Sequence, residues 1–425
     1  MPSEQERRRP RRRPKPKTEQ PPKVHHPLRT LILIIIGLVF LGEGIYLLTR
    51  DKEPVPTGPN TLTQVEQKQP VDSDVAPKTV IHIAAAGDVN VTDKVIDQNA
   101  ALGGGYDFTP AFLEVVPALS DADLTIVNLE GNFCGEPYGT ASGSAPRELA
   151  DALAQAGVDV VQTANSFSIR NGLLGLQDTL NTLHAAGLQT VGTSASQEGK
   201  SAGSFLIREV GGIRVALVAF TKGMDNLGLP EGSEGAVNLL YKDYATTYQE
   251  VDYDGIRQVL RSVEKAQPDY TIALLHWGSE YNDEISDSQN SIRNLLFGNG
   301  VDAIIGTHPH LVQQIDYDQE AGTFIAYSLG DFYGDGEESG SGYSMILNLE
   351  ITRDNVTGET KLTDYTYTPT FLIKPDGESR ERLRVTDMNR AMALHESGFA
   401  GSVSQDVFDN MEFAAGRLKS RIGTE

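Results

Sequence analysis

The sequence predicts an α/β domain carried behind a membrane-spanning segment. Three observations lead there. From about Thr79 onward, short apolar runs alternate with amphipathic stretches of helical period. Several of those runs end directly on a residue type that can bind a metal ion. Before them stand a basic tail and one long apolar run.

In chain order, residues 1–30 hold ten Lys/Arg against three Glu, a net of +7, so the formal charge of −22 leaves −29 for the remainder. Such a split implies two environments. The run Arg7 to Lys17 reads as a solvated tail that sets topology rather than a nucleic-acid-binding arm. Leu31 to Leu48 is apolar apart from Glu43, and at about 1.5 Å per residue it is long enough to cross most of a bilayer. The basic flank places the N-terminus in the cytoplasm and the acidic remainder outside. A cleaved signal peptide is the rival reading; no small-x-small site follows the run, which favours an uncleaved anchor. Residues 49–78, rich in proline, read as a flexible stalk. Cys134 is the only cysteine, so no internal disulfide forms and the domain must hold together by its core.

Within the domain, Val80 to Ala86 reads as a strand, Ala111 to Leu119 as a helix, and Leu124 to Leu129 as a buried strand. Arg147 to Ala156 is helical, Val158 to Thr163 a strand, Leu173 to Ala186 a helix stopped by Gly187, and Gln189 to Gly192 a short strand. Phe205 to Val210 and Ile213 to Phe220 flank Gly211-Gly212, a hairpin signal. Then follow the helix Ile256 to Ala266, the strand Tyr270 to Leu275, the helix around Ile292 to Phe297, and strands at Ala303 to Ile305, Val312 to Tyr317, Phe324 to Ser328, Met345 to Ile351 and Lys361 to Thr368. Asp387 to His395 and Val403 to Leu418 are helical. The expected boundaries are residues 79–370 for the domain and 371–425 for a helical extension.

Asp88, Glu130, Asn165, His276 and the pair His308/His310 each sit just after an apolar strand, where loops at one sheet edge converge. In THPH, Pro309 fixes its own φ and is expected to hold His308 extended. Taken singly, each residue has a plainer reading: Asp88 a helix cap, Glu130 a solvated turn, Asn165 an Asx turn, His276 a satisfied core histidine. As a set they are the mixed oxygen and nitrogen ligands that hold one or two divalent ions, and phosphoester hydrolysis is the chemistry such a pair supports.

GDVNV from Gly87, NLEG from Asn128, ALLHWGSEY from Ala273, IIGTHPHLVQ from Ile304 and AYSLGDF from Ala326 resemble, in order and spacing, the motifs of the CapA family of poly-γ-glutamate capsule-biosynthesis proteins. That family's domain is similar to the calcineurin-like metallophosphatases. The resemblance covers about residues 80 to 335 and implies a four-layer α/β/β/α sandwich on a membrane anchor. It implies work at the cell envelope on an anionic surface polymer, alone or with that polymer's synthesis machinery in the membrane. It also implies Asp88 as a metal ligand, Glu130 as a bridging carboxylate, His276, His308 and His310 as the rest of the shell, and Trp277 and Glu280 as pocket lining; plain core packing is the rival for Trp277. Asp331 stands where the family usually has asparagine. The family's Asn-Asn-His followed by Asp is here Asn165, Ser166 and Phe167 with Arg170 in the aspartate's place. Phe167 cannot shuttle a proton, so the pattern implies a site that has lost a ligand and its general acid. The competing expectation is an active phosphoesterase.

Overall fold

The computed structural model describes residues 77–195, 205–375 and 382–423. The expected tail, membrane span Leu31 to Leu48 and most of the stalk lie outside them. Among the described residues no helix is long and apolar enough to cross a membrane.

The first sheet is built from β1 (Lys78–Asn90), β2 (Leu124–Glu130), β3 (Val160–Gln162), β4 (Gln189–Val191), β11 (Asp331–Tyr333), β12 (Tyr343–Asp354), β13 (Thr360–Ile373) and β14 (Arg384–Asp387), in the order β14-β13-β12-β1-β2-β3-β4, with β11 paired to β1. The second, built from β5 (Phe205–Val210), β6 (Ile213–Thr221), β7 (Tyr270–His276), β8 (Ala303–Thr307), β9 (Ile315–Asp318) and β10 (Thr323–Ala326), runs β5-β6-β7-β8-β10-β9. Strands β1 to β4 run parallel, as do β6 to β8. Their C-terminal ends therefore collect at one edge of each sheet.

Residue alternation along the strands separates the layers. Ile81, Ile83 and Ile126 of the first sheet and Val215, Leu217 and Ile272 of the second bury their side chains in one shared core between the sheets. The neighbouring residues Ala84, Val127 and Val161 face outward, where Phe112, Leu119, Leu149 and Leu153 cover them. On the second sheet Val218, Ala273 and Ile304 face outward beneath Ile256, Leu260, Ile292 and Leu296. The covering helices are α1 (Asp93–Gln98), α2 (Thr109–Phe112), α3 (Val116–Ser120), α4 (Glu148–Gln155) and α5 (Gly172–Ala185) on the first side, and α6 (Tyr253–Lys265) and α7 (Asp287–Phe297) on the second. The result is helix, sheet, sheet, helix. α7 begins with a capping box between Ser286 and Gln289, which extends it further toward the N-terminus than the apolar pattern alone indicates.

Four differences from the expected elements have identifiable causes. The single helix expected over Ala111 to Leu119 is two, α2 and α3, because Pro117 cannot continue a helix and instead occupies the first turn of α3. The strand expected at Val312 begins three residues later, at Ile315. Strands β11 and β14 are too short to show a period. The boundary at residue 370 does not exist, since β13 runs through it, and α8 (Met388–Glu396) and α9 (Gln405–Ile422) place Met388, Met411, Leu418 and Ile422 in the core between the sheets.

A repeated device sets the parallel register at the edge away from the cluster of ligand-type residues. Asp123, Asp159, Asp269 and Asp302 each stand immediately before a strand, or one residue away, and each clasps one residue of the adjoining strand twice. The backbone N–H of each donates to the carbonyl of His82, Thr125, Arg214 and Thr271 respectively. The carboxylate of each accepts from the N–H of that same residue, at 2.8, 2.8, 2.8 and 2.7 Å. These backbone groups would otherwise be unpaired at the sheet's edge.

Two expected outcomes follow from this packing. Leu347→Ala opens a cavity between the sheets and costs about 2 to 5 kcal/mol in denaturant unfolding. Burial raises the Asp302 carboxyl from its ordinary 3.8 to about 6, so its ionisation penalises the folded state: this group's contribution to stability is full below pH 3.8 and is lost as pH rises through about 6. Asp302→Asn keeps an acceptor for Thr271 and removes the charge, so it stabilises the protein above pH 6 by about 1 to 3 kcal/mol, with no gain at pH 4.

Candidate metal centre

Where the two sheets' C-terminal edges meet, the backbones come unusually close. A Cβ on Gly87 would lie 1.8 Å from the carbonyl oxygen of Gly330, and one on Gly306 would lie 1.9 Å from that of Tyr327. Only glycine permits these approaches. They bring Asp88, at the end of β1, against the loop after β8.

Asp88 is fully buried and bonded to both sheets. Its Oδ1 accepts from Asn128 Nδ2 at 2.6 Å and its Oδ2 from the His308 backbone N–H at 3.0 Å. His308 is not extended. Its φ is +93° and that of His310 is +58°, values that side-chain-bearing residues seldom adopt. The strain is held by the Asp88 bond at one end and by Pro309, whose carbonyl accepts from Tyr281 N–H.

Two groups of ligand atoms result, Glu130 with His276 and His308, and Asp88 with His310 and Asp331; within each, the atoms lie no more than 4.8 Å apart. Glu130 faces both. One carboxylate oxygen is 2.7 Å from His276 Nε2 and the other 3.7 Å from His310 Nε2. Asp331 Oδ1 lies 2.7 Å from His310 Nδ1, and Tyr281 stacks on the His310 ring at 5.1 Å. His276 Nδ1 lies 3.2 Å from Thr307 Oγ1, and its Nε2 lies 3.1 Å from Ser166 Oγ.

Burial governs the protonation of this cluster. It raises the Asp88 and Asp331 carboxyls and lifts Glu130 to about 8, while it depresses His276 and His308. Burial also opposes a charge on His310, but Glu130, Asp331 and Asp88 overcome it and raise that ring to about 11. The protein alone therefore gathers acids that resist ionising and bases that resist protonation, except where one imidazolium offsets three carboxylates.

A metal ion fits this arrangement. His308 Nδ1 is buried without any hydrogen-bond partner, and Glu130 Oε1 meets only the buried His276 Nε2, at 2.7 Å; an unmet buried nitrogen is costly unless something else engages it. Neutral imidazole and carboxylate are the donors that divalent transition ions prefer.

Other expected residues fall differently. Asn165 is buried, but its amide donates to Leu129 O at 2.6 Å and to Asn128 Oδ1 at 3.1 Å while its oxygen accepts from Phe167 N–H. It forms the Asx turn and braces Asn128. Trp277 is core, not pocket: it stacks on Tyr327 and donates to that residue's carbonyl at 3.0 Å. Ser166, Phe167, Glu280 and Asp331 line a cleft of 290 Å³ beside His310, and Ser166, Glu280 and His308 also line an adjoining one of 350 Å³. Arg170 sits 5.6 Å over the Phe167 ring and pairs with Asp225 at 3.0 Å. Sequence reading missed Asn128, Thr307 and Lys222. The first lay inside NLEG and was open to discovery there, since two residues before Glu130 it shares that residue's face of a regular strand.

An α/β sandwich whose facing sheets converge on a buried carboxylate and imidazole cluster is the class of protein that the fold and site define. Within it, the chain belongs to the bacterial capsule synthesis family: the model of "Bacterial capsule synthesis protein PGA_cap" matches residues 82–336. Relatives include "Capsule biosynthesis protein CapA" of Bacillus anthracis, 27% identical over 262 residues that make up 60% of each chain, and "PGA biosynthesis protein CapA" of Bacillus subtilis, 26% identical over 218 residues, 51% of this chain and 53% of that one. The chain thus spans little more than half the length of these relatives. Similar solved structures include a novel phosphatase from Mycoplasma pneumoniae (15% identity, TM-score 0.44, covering 69% of this chain and 94% of that one) and the calcineurin-like phosphoesterase YfkN from Bacillus subtilis (15%, 0.41, 79% and 100%).

Asn128→Leu removes the donor that holds Asp88 and the acceptor that Asn165 braces. It is expected to weaken divalent-metal binding by about 10- to 100-fold, read by competition with a chromogenic chelator.

Proposed function

We propose that this protein serves the synthesis, export or anchoring of an anionic surface polymer at the cell envelope, through a cleft that binds one or two divalent ions and has lost its proton donor. The observation that carries the reading is the convergence of two buried groups of ligand atoms, Glu130 with His276 and His308, and Asp88 with His310 and Asp331, with His308 Nδ1 left unpaired among them. Family membership supports the choice of a surface polymer. The apolar run Leu31 to Leu48 supplies the anchor, with the N-terminus cytoplasmic and the acidic domain outside.

In this reading Asp88, Glu130, His276, His308, His310 and Asp331 would hold the metal. A bound divalent ion supplies Lewis acidity and an activated water. The chain's own part is positional. Asn128 and the His308 N–H fix both Asp88 oxygens, Asp331 orients His310, and Tyr281 shields it. Ser166 takes a place against His276 Nε2 where a stronger donor would stand, and Phe167 offers no proton to a leaving group. Slow turnover or none follows, and the cleft grips more than it cuts.

An active phosphoesterase is the second reading, favoured by Asp331, whose extra carboxylate completes the Asp88 and His310 group. Metal analysis of the purified full chain, with assay on a chromogenic phosphodiester, separates them. Bound metal with turnover near background, and loss of metal in His308→Ala, is expected. Two equivalents of metal with turnover abolished in His308→Ala would establish the esterase, and no bound metal would end both readings.

A further inference from the structure

The cleft is acidic, and an anionic ligand needs a cation to enter it. Lys222, the residue directly after β6, lines the 350 Å³ cavity together with Ser166 and His308. Among the described residues it is the only lysine or arginine that lines this cavity or the adjoining one. Its Nζ donates to the Gly278 carbonyl at 2.7 Å and lies 4.8 Å from the centre of the Tyr248 ring, which leaves two of its three N–H donors uncommitted. Most of the side chain is withdrawn from water, and burial lowers its pKa. A withdrawn ammonium is normally matched by a carboxylate. Asp225 and Glu280, both in the cavity wall, attract it from a distance, but Asp225 is paired with Arg170 at 3.0 Å, and among the described residues neither carboxylate is in ion-pair contact with the ammonium.

We propose that Lys222 is the residue that receives a charged oxygen of the ligand, a phosphate-type or carboxylate oxyanion, and holds it beside His308. The role rests on the proposed metal-binding reading of the cleft, because the same oxyanion would be shared between the ammonium and the metal group. It also answers a conflict within that reading. A domain so acidic repels a polyanion everywhere except where a cation is concentrated, and Lys222 places one in the cavity wall. Tyr248 and Gly278 pre-orient the ammonium, so little side-chain entropy is lost when the ligand arrives.

The test uses inorganic phosphate as probe, titrated calorimetrically into the metal-loaded full chain, with metal content measured in parallel. Lys222→Gln retains a donor for Gly278 O and removes the charge. It is expected to bind phosphate at least about tenfold more weakly with metal content unchanged, whereas Lys222→Arg stays within roughly threefold of the parent. Unaltered phosphate affinity in Lys222→Gln overturns the proposal, as does a parent chain that binds no phosphate at concentrations on the order of 10 mM. A parent chain that holds no metal overturns the metal reading instead, and the lysine is then judged on the chelated protein, where Lys222→Gln must lose whatever phosphate binding remains. Should the glutamine variant fail to fold, the parent chain still answers: phosphate must protect Lys222 from an amine-acylating reagent, read by peptide mass, and absence of protection sinks the assignment.

Discussion

Asp88 is the tie on which the site depends. Its two oxygens accept from opposite sides, Asn128 in the first sheet and the His308 backbone in the second, so one buried carboxylate holds two sheets in register at the point where the ligands meet. A buried carboxylate is expensive. Here the cost is offset by directed hydrogen bonds and by the imidazolium character of His310, and the close approaches at Gly87 and Gly306 make those bonds reachable. Removing any of these partners would strand the charge.

The two ends of the parallel strands divide the work. At one end the four aspartate clasps fix strand register with paired backbone and carboxylate hydrogen bonds. At the other, backbone strain at His308 and His310, the unpaired His308 Nδ1 and the raised carboxyls of Asp88, Glu130 and Asp331 meet. Strain and unsatisfied groups lower stability, and they persist only where the surrounding structure is rigid enough to impose them. The inter-sheet core, to which the C-terminal helices also contribute, supplies that rigidity.

The cleft's lining is held by contacts that the chain makes with itself. Arg170 lies over the Phe167 ring, Ser166 Oγ meets His276 Nε2, and Asp331 sets a carboxylate against His310. If the cleft takes an anion, as proposed, the acidity of the domain as a whole is no obstacle, because anion binding is a local matter of where cations are placed.

Much of this was readable along the chain. Apolar runs of strand length located nearly every long strand, Gly211-Gly212 marked a two-residue hairpin that pairs Val210 with Ile213, and of six ligand-type residues expected at strand ends five, Asp88, Glu130, His276, His308 and His310, lie together while Asn165 braces Asn128. Those signals are local: period, turn chemistry and residue type survive in one dimension. Short strands such as β11 and β14 carry no period, and their pairing is decided by neighbours far away in sequence. Trp277 and Lys222 show the same limit from two sides. Both follow strands of the second sheet, yet one ring packs into the outer core and one ammonium enters the cleft, and only the path of the surrounding backbone determines which. Sequence by itself thus settled what kinds of atoms were on offer and at which strand ends. Tertiary structure decided which of them face each other, because burial, approach distance and unmet hydrogen bonds exist only once the two sheets have closed.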